Sequence, residues 1–247
     1  MATNLVYLND FGVVTCDAHV IYVTNTDDGR VDIQLDQTCF YPRGGGQDWD
    51  TGTIQKDGAT FKVDEVRLDE AGIVHHLGTA TGEFDTGDDV QCSVDTERRA
   101  INTRLHSAGH LIDLAVDTLK LHWIPGKGAH YPHMSFVEYE AEVRPEEAGA
   151  LAAKIEQLAN EAVAEGGDNE IRFMPVSEMH TVCRHIPENI PTNKPARVVI
   201  YHGDFGVPCG GTHVANLHQI GIIHVTKVKT KKGITKVSYA IEGVNAN

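Results

Sequence analysis

Along the first third of the chain apolar and polar residues alternate in short runs, at 20–24, 31–35, 60–66 and 90–94. Turn pairs such as Asp28-Gly29, Asp57-Gly58, Ala71-Gly72 and Gly87-Asp88 bound them. A period of two puts every second side chain on one face of a strand, and strands of about five residues recurring every ~8–12 positions indicate a small sandwich or barrel. Near Asp95 the period changes. Leu105, Ala108, Leu111, Ile112, Ala115, Val116 and Leu119 recur at steps of three and four, the spacing of one helix face. A helix capped by Asp95 or Thr96 and running to about residue 121 is therefore expected.

Pro125-Gly126 reads as a break after that helix, and 135–143 as a strand. Pro145 suits a first helical turn, and 146–165 continues as an Ala/Leu/Glu-rich amphipathic helix ended by Gly166-Gly167. A strand at 170–174, a short helix or turn near 177–182, a Pro-rich loop at 187–195 and a strand at 197–202 follow. Two antiparallel strands, 220–228 and 234–241, joined through 230–233, close the chain. Two domains are expected, 1–94 all-β and 95–247 α+β.

Charge sharpens that division. Residues 1–95 carry 5 Lys/Arg against 18 Asp/Glu, whereas 96–247 carry 16 against 17, and the net charge of −14 speaks against indiscriminate binding to nucleic acid while leaving room for a local basic patch. The five cysteines are odd in number and widely spaced, which argues against a disulfide framework. No run of ~18 apolar residues offers a membrane span, and the first residues lack a signal-peptide layout, so no membrane association and a cytoplasmic location are expected.

The sharpest chemical signal is His106-Ser107-Ala108-Gly109-His110 on the expected helix. Residues four apart share a helix face, so the two imidazoles can converge on one ion. With 14 histidines in the chain such a pair also arises by chance, as two partly buried polar residues near a helix start. Cys209-Gly210-Gly211-Thr212-His213 changes the balance: a thiol and an imidazole four apart around two glycines can fold back onto one metal. Together the two pairs supply four nitrogen and sulfur donors, the number and softness tetrahedral zinc prefers, with nickel or iron suiting them less well. A zinc-protease helix needs Glu after its first His, where Ser107 stands here, and the 98 residues between His110 and Cys209 are far too many for a nucleic-acid zinc finger.

A third signal lies in the first half, Tyr41-Pro42-Arg43-Gly44-Gly45-Gly46-Gln47. Three glycines expose backbone N–H groups and permit close approach of a ligand, and the Gln amide can both donate and accept. It is neither a Walker loop nor a dinucleotide fingerprint. The three motifs, in this order, resemble the free-standing alanyl-tRNA editing proteins called AlaX, which are similar to the editing domain of alanyl-tRNA synthetase. The resemblance runs roughly from Thr38 to Ile241, and the length leaves no room for an ATP-using aminoacylation domain.

What the resemblance implies is a two-domain hydrolase, a small glycine-rich β-barrel followed by an α+β zinc-binding editing domain, that removes serine, with glycine as a second candidate, from mischarged tRNA for alanine. One zinc ion would be held by His106, His110, Cys209 and His213. Gln47, as the catalytic residue, and the backbone of Gly44, Gly45 and Gly46 would reach from the barrel loop into the pocket of the second domain. Gly210, Gly211 and Thr212 would contact substrate, and Thr38 is a weaker candidate for hydrogen-bonding the serine hydroxyl. Zinc either takes part in the reaction or clamps substrate beside a water held by Gln47.

For RNA, Lys227, Lys229, Lys231 and Lys232 form a cationic stretch, with Arg43 at the glycine loop. The same lysines also read as protection of an edge strand. His75-His76 and the His180, Cys183, His185 group carry ligand-type atoms but read first as packing or surface residues. Two rival functions remain open: editing of serine on tRNA for threonine, and a zinc-stapled tRNA-binding module without catalysis.

Overall fold

The computed structural model describes residues 2–244. Its strands and helices in chain order are β1 (Asn4–Leu5), β2 (Thr15–Asn25), β3 (Val31–Leu35), β4 (Gln37–Thr38), β5 (Gly52–Lys56), β6 (Ala59–Leu68), β7 (Val74–Thr81), β8 (Asp89–Val94), α1 (Thr96–Thr118), β9 (Ile124–Tyr131), β10 (Met134–Glu140), α2 (Pro145–Glu165), β11 (Glu170–Met174), β12 (Ala196–Tyr201), β13 (Phe205–Pro208), β14 (Ile223–Lys231) and β15 (Ile234–Ile241). Short 3-10 turns occupy Val6–Leu8, Val176–Thr181 and Leu217–Ile220. The chain divides into two compact units, residues 1–44 with 48–100, and residues 45–47 with 101–247. Among the described residues no helix is long and apolar enough to cross a membrane.

In the first unit six strands close into a barrel in the order β2-β3-β7-β6-β5-β8. Alternation builds its core: Ala59, Phe61 and Val63 of β6 and Val90, Cys92 and Val94 of β8 point inward, onto Ile33, Leu35, Phe40 and Ile54. β5 and β7 escape the sequence pattern for a physical reason. β5 buries only Ile54, and β7 sends a histidine inward, His76, whose Nε2 meets Thr38 Oγ1 at 2.9 Å and whose Nδ1 meets the Ile33 carbonyl at 2.8 Å. Asp95 caps α1, its Oδ1 accepting from the N–H groups of Glu97 and Arg98 at 3.1 Å.

The second unit holds a four-stranded antiparallel sheet ordered β14-β15-β10-β9 and a three-stranded sheet ordered β11-β12-β13. α1 buries Leu105, Ala108, Leu111, Ile112, Ala115 and Val116, the stripe its sequence spacing indicates, and ends at Thr118. α2 buries Ile155, Ala159, Ala162 and Val163 and ends at Gly166, φ 73°. It also finishes the sheet edge: Glu156 Oε2 accepts from the Val225 N–H at 2.7 Å, and Asn160 both accepts from Ile223 N–H and donates to its carbonyl.

The structure departs from several local expectations. Pro125-Gly126 does not break the chain but lies in β9, an edge strand, where a residue without an N–H is tolerated opposite a register shift between Val137 and Tyr139. β10 stops at Glu140, short of 143. β13 was not expected, its four residues being too few to show a period. The last hairpin turns at Lys232-Gly233, both with positive φ (53° and 78°), because a two-residue turn of this hand matches the strand twist, and residues up to Ile220 form a 3-10 turn rather than strand.

Candidate metal centre

His106 and His110 stand one turn apart on α1, and Cys209 and His213 follow β13. Their donor atoms all lie within 4.8 Å of one another. Each imidazole is fixed through its Nδ1. His106 Nδ1–H donates to Gln47 Oε1 at 2.8 Å, His110 Nδ1–H to Asp113 Oδ2 at 3.3 Å, and His213 Nδ1 meets the Tyr201 hydroxyl at 2.7 Å. With Nδ1 occupied, each ring turns its Nε2 toward its neighbours. Among the described residues the Nε2 atoms of His110 and His213 are buried without a hydrogen-bond partner, and that of His106 lies 3.4 Å from Cys209 Sγ. Orphaned buried nitrogens are costly. A cation at their meeting point satisfies them, and imidazoles anchored by an outer carboxylate, amide or phenol are the usual support of a metal. The residues present fit zinc.

Electrostatics favour the ligating form at three of the four donors. Burial, with His130, His213, His110 and Arg197 nearby, holds His106 well below its ordinary value, and burial beside His110 does the same to His213. Burial also opposes charge on His110, but the Asp113 carboxylate and the nearby Cys209 sulfur outweigh it and push its pKa up to about 9, so this ring gives up a proton when it binds a metal. Burial raises the Cys209 thiol less than His110 and the Gly211 N–H lower it, so the net direction is down, toward the thiolate a metal requires.

The Gly45–Gln47 segment is the third part of the centre. Gly45 and Gly46 take positive φ (53° and 77°), and a Cβ on Gly46 would stand 2.3 Å from the Gly128 carbonyl oxygen. Gln47, expected to hold a water for the reaction, is fully buried and bonded at both ends of its amide: Nε2 donates to Thr212 Oγ1 at 2.8 Å, while Oε1 accepts from the Thr212 N–H at 3.1 Å and from His106. What it holds is a candidate ligand. Thr212 is buried as well, its hydroxyl shared with Thr103 at 2.8 Å, and Gly211 packs against the His106 ring. Gly210 is exposed. Arg197 draws the loop together through the carbonyls of Cys209 and Gly211.

A cleft of about 1130 Å³ in the same unit opens onto this centre. Its lining includes Gly45, Gly46, His106, His110, Cys209 and His130, but not His213, which lies behind, on Tyr201. Sequence reading misses Asp113, Tyr201 and His130. Asp113 was legible three residues after His110 on α1, whereas Tyr201 and His130 come from strands whose placement no spacing reveals.

Other expected residues lie elsewhere. Thr38 is buried in the barrel unit, bonded to His76, and Gly44 belongs to that unit and is exposed. Arg43 is exposed, 5.7 Å above the Trp49 ring and 4.0 Å from Asp48. Lys227, Lys229, Lys231 and Lys232 are all exposed along β14 and its turn, and among the described residues none forms an ion pair. His75 sits between Asp32 and Asp69, Cys183 is packed with Met174, Met179 and Val198, and His180 bonds the Ser177 carbonyl. His185 is part of the cleft wall.

Fold and centre together define a barrel unit and an α+β unit with a His3Cys donor set, and comparison with known proteins places that combination. Residues 14–98 match the family described as tRNA synthetases class II (A). The chain is 31% identical to alanine–tRNA ligase of Methanobrevibacter smithii over 96% of its length and 27% of the ligase, and 33% identical to the ligase of Methanosarcina acetivorans over 84% of its length and 23% of the ligase. It is 27% identical to alanyl-tRNA editing protein AlaX-L of Pyrococcus horikoshii over 95% of its length and 57% of AlaX-L. The chain thus spans about a quarter of these ligases and somewhat over half of AlaX-L. It is a relative of the AlaX-type alanyl-tRNA editing proteins, as its three motifs indicate.

Proposed function

We propose that the protein is a zinc-dependent aminoacyl-tRNA deacylase that acts in trans and hydrolyses the ester of serine, and of glycine to a smaller extent, on tRNA for alanine. The observation that carries this reading is the His106, His110, Cys209, His213 cluster, with two buried nitrogens lacking partners among the described residues, three of whose members line a cleft large enough for an esterified nucleoside. The likeness to AlaX-L over 95% of the chain supports the substrate class.

Such an activity has a physical rationale. A pocket made for alanine discriminates only about 10²-fold against a side chain carrying one more hydroxyl, so a second site must remove the error. Bound zinc supplies a Lewis acid for an ester carbonyl or a water of lowered pKa. The chain's own residues do the rest. Gln47, Asp113 and Tyr201 hold the orientation of three imidazoles, Gly45 and Gly46 let backbone approach the ligand, and His106, His110 and Cys209 line the cleft from which an ester would arrive. Lys227, Lys229, Lys231 and Lys232, exposed and without carboxylate partners among the described residues, would meet phosphates, and Arg43 would contribute from the glycine loop.

Metal analysis combined with a deacylation panel tests the proposal. One zinc per chain and rapid loss of serine from tRNA for alanine, against slow loss of alanine, is the expected result. Binding of tRNA without release of any amino acid would turn the reading to a zinc-stapled binding module, and faster release of serine from tRNA for threonine would move the substrate.

A further inference from the structure

His130 is neither a member of the donor cluster nor a residue that any motif marks. It comes from β9, buried to 4% exposure, and its ring stacks on that of His106 with centroids 4.5 Å apart and planes 15° apart. Three glycines make its place. A Cβ on Gly109 would stand 2.5 Å from its Cε1, a Cβ on Gly128 would stand 2.8 Å from its Nε2, and the Gly46 carbonyl accepts from its backbone N–H at 2.8 Å.

The protons around it fix its tautomer. The Tyr239 hydroxyl donates to the Leu105 carbonyl at 2.9 Å, and a carbonyl offers no proton in return. The hydroxyl has then spent its only hydrogen, so its contact with His130 Nδ1, at 2.5 Å, is donated by the ring. Nε2 is left as an acceptor. It has no protein partner among the described residues, and unlike the Nε2 atoms of His110 and His213 it is not among the sealed orphans. His130 is part of the cleft wall, beside Gly46, Gly128 and His106. The other side chains considered for reading a hydroxyl are already used: Thr38 on His76, Gln47 on His106 and Thr212, and Thr212 on Thr103.

We infer that His130 is the specificity residue of the cleft, its Nε2 accepting a hydrogen bond from the side-chain hydroxyl of the esterified amino acid, so that the site takes β-hydroxy amino acids. This rests on the deacylase reading and deepens it. An acceptor held in a single tautomer between glycine backbones suits a small donor. An alanyl or glycyl ester leaves it without its partner, and a site built to bond a hydroxyl penalises the analogue that lacks one.

The experiment measures kcat/KM for seryl-, glycyl- and alanyl-tRNA for alanine, with zinc content, for the wild type and for His130→Leu, His130→Gln and Tyr239→Phe. His130→Leu is expected to lower the seryl rate roughly 10- to 100-fold while changing the weaker glycyl and alanyl rates less than about threefold, the loss of one paired buried group. Zinc content should not change. His130→Gln, which offers an amide oxygen in place of Nε2, should restore part of the seryl rate. Tyr239→Phe, which frees the ring to move its proton, should lose part of the serine preference with the imidazole still present. Equal losses on all esters would overturn the inference in favour of water positioning, and loss of zinc in all three variants in favour of support for His106. An unaltered seryl preference would overturn it outright. A wild type inactive on every ester would instead sink the deacylase reading, and this assignment with it.

Discussion

Gly211 lies so close to the His106 imidazole that a Cβ on it would stand 2.2 Å from Cε1 and 2.4 Å from Nδ1. The neighbouring Gly210 has nothing within 4 Å of the same point. Two adjacent glycines in one motif therefore have different reasons to be glycine. Gly211→Ala should displace His106, lower zinc content and destabilise the protein by about 1–3 kcal/mol, the usual cost of overpacking. Gly210→Ala should stay within about 0.5 kcal/mol of the wild type. Chemical denaturation with parallel metal analysis checks both, and equal effects at the two positions would refute the packing account.

Cys209 is the sulfur donor of the cluster and is part of the cleft wall. Cys209→Ala should reduce bound zinc from one per chain to a small fraction and abolish deacylation. Chelation of the wild-type protein should lower its melting temperature, since a ligand bound to the folded state alone stabilises it by mass action. A Cys209→Ala protein with full zinc would reject the ligand assignment.

Gln47 touches His106 and Thr212 and is sealed from solvent. Gln47→Ala should weaken zinc affinity and activity together, about 10- to 100-fold, the range typical of partners that orient a metal ligand. Gln47→Glu, which still accepts from His106, should retain more of both. If activity fell with zinc affinity unchanged, Gln47 would instead act on the reactants.

The barrel gives a prediction in pH. Burial holds His76 down to about 4, against an ordinary value near 6.5. The unfolded chain then takes up a proton that the folded barrel refuses, so stability is complete above pH 6.5 and is lost as pH falls toward 4. The loss from this residue amounts to at most about 3 kcal/mol. Urea unfolding of wild type and His76→Gln between pH 7 and pH 4.5 should show the gap between them narrowing on acidification. A constant gap would contradict the burial of a neutral imidazole.

Lys231 and Lys232 are exposed at the β14–β15 turn. Replacing both with Glu should weaken tRNA binding and flatten its dependence on salt, with the melting temperature nearly unchanged. Affinity measured across a salt series decides, and an unaltered slope would leave these lysines a role in protecting the strand edge alone.

Much of this was legible in the residues. The steps of three and four in α1 give its buried face, and the spacing His106, His110 fixes two donors on one side of it. The Cys209 to His213 segment reads as the matching pair because two glycines permit its turn. Legibility ends where a residue acts through long-range pairing. β9 carries Pro125 and Gly126, which locally read as a break, and only its position at a sheet edge makes them acceptable, so His130 went unseen with it. Tyr201 sits at the end of β12 as one more apolar residue until the fold brings its hydroxyl to His213. Gln47 was found for its motif and read as a group facing water, because a sequence does not reveal that Thr212 and His106 use both ends of its amide.

Glu156 and Asn160 of α2 have a consequence beyond closing the backbone of β14. They occupy the hydrogen-bonding groups at Ile223 and Val225, so a strand from another copy could zip only onto the remainder of that edge, where Lys227, Lys229 and Lys231 project. An incoming copy would bring the same three ammonium groups. Self-templating into fibrils is thereby opposed at one end by a helix and at the other by like-charge repulsion, whereas a polyanion meets an open and favourable rim.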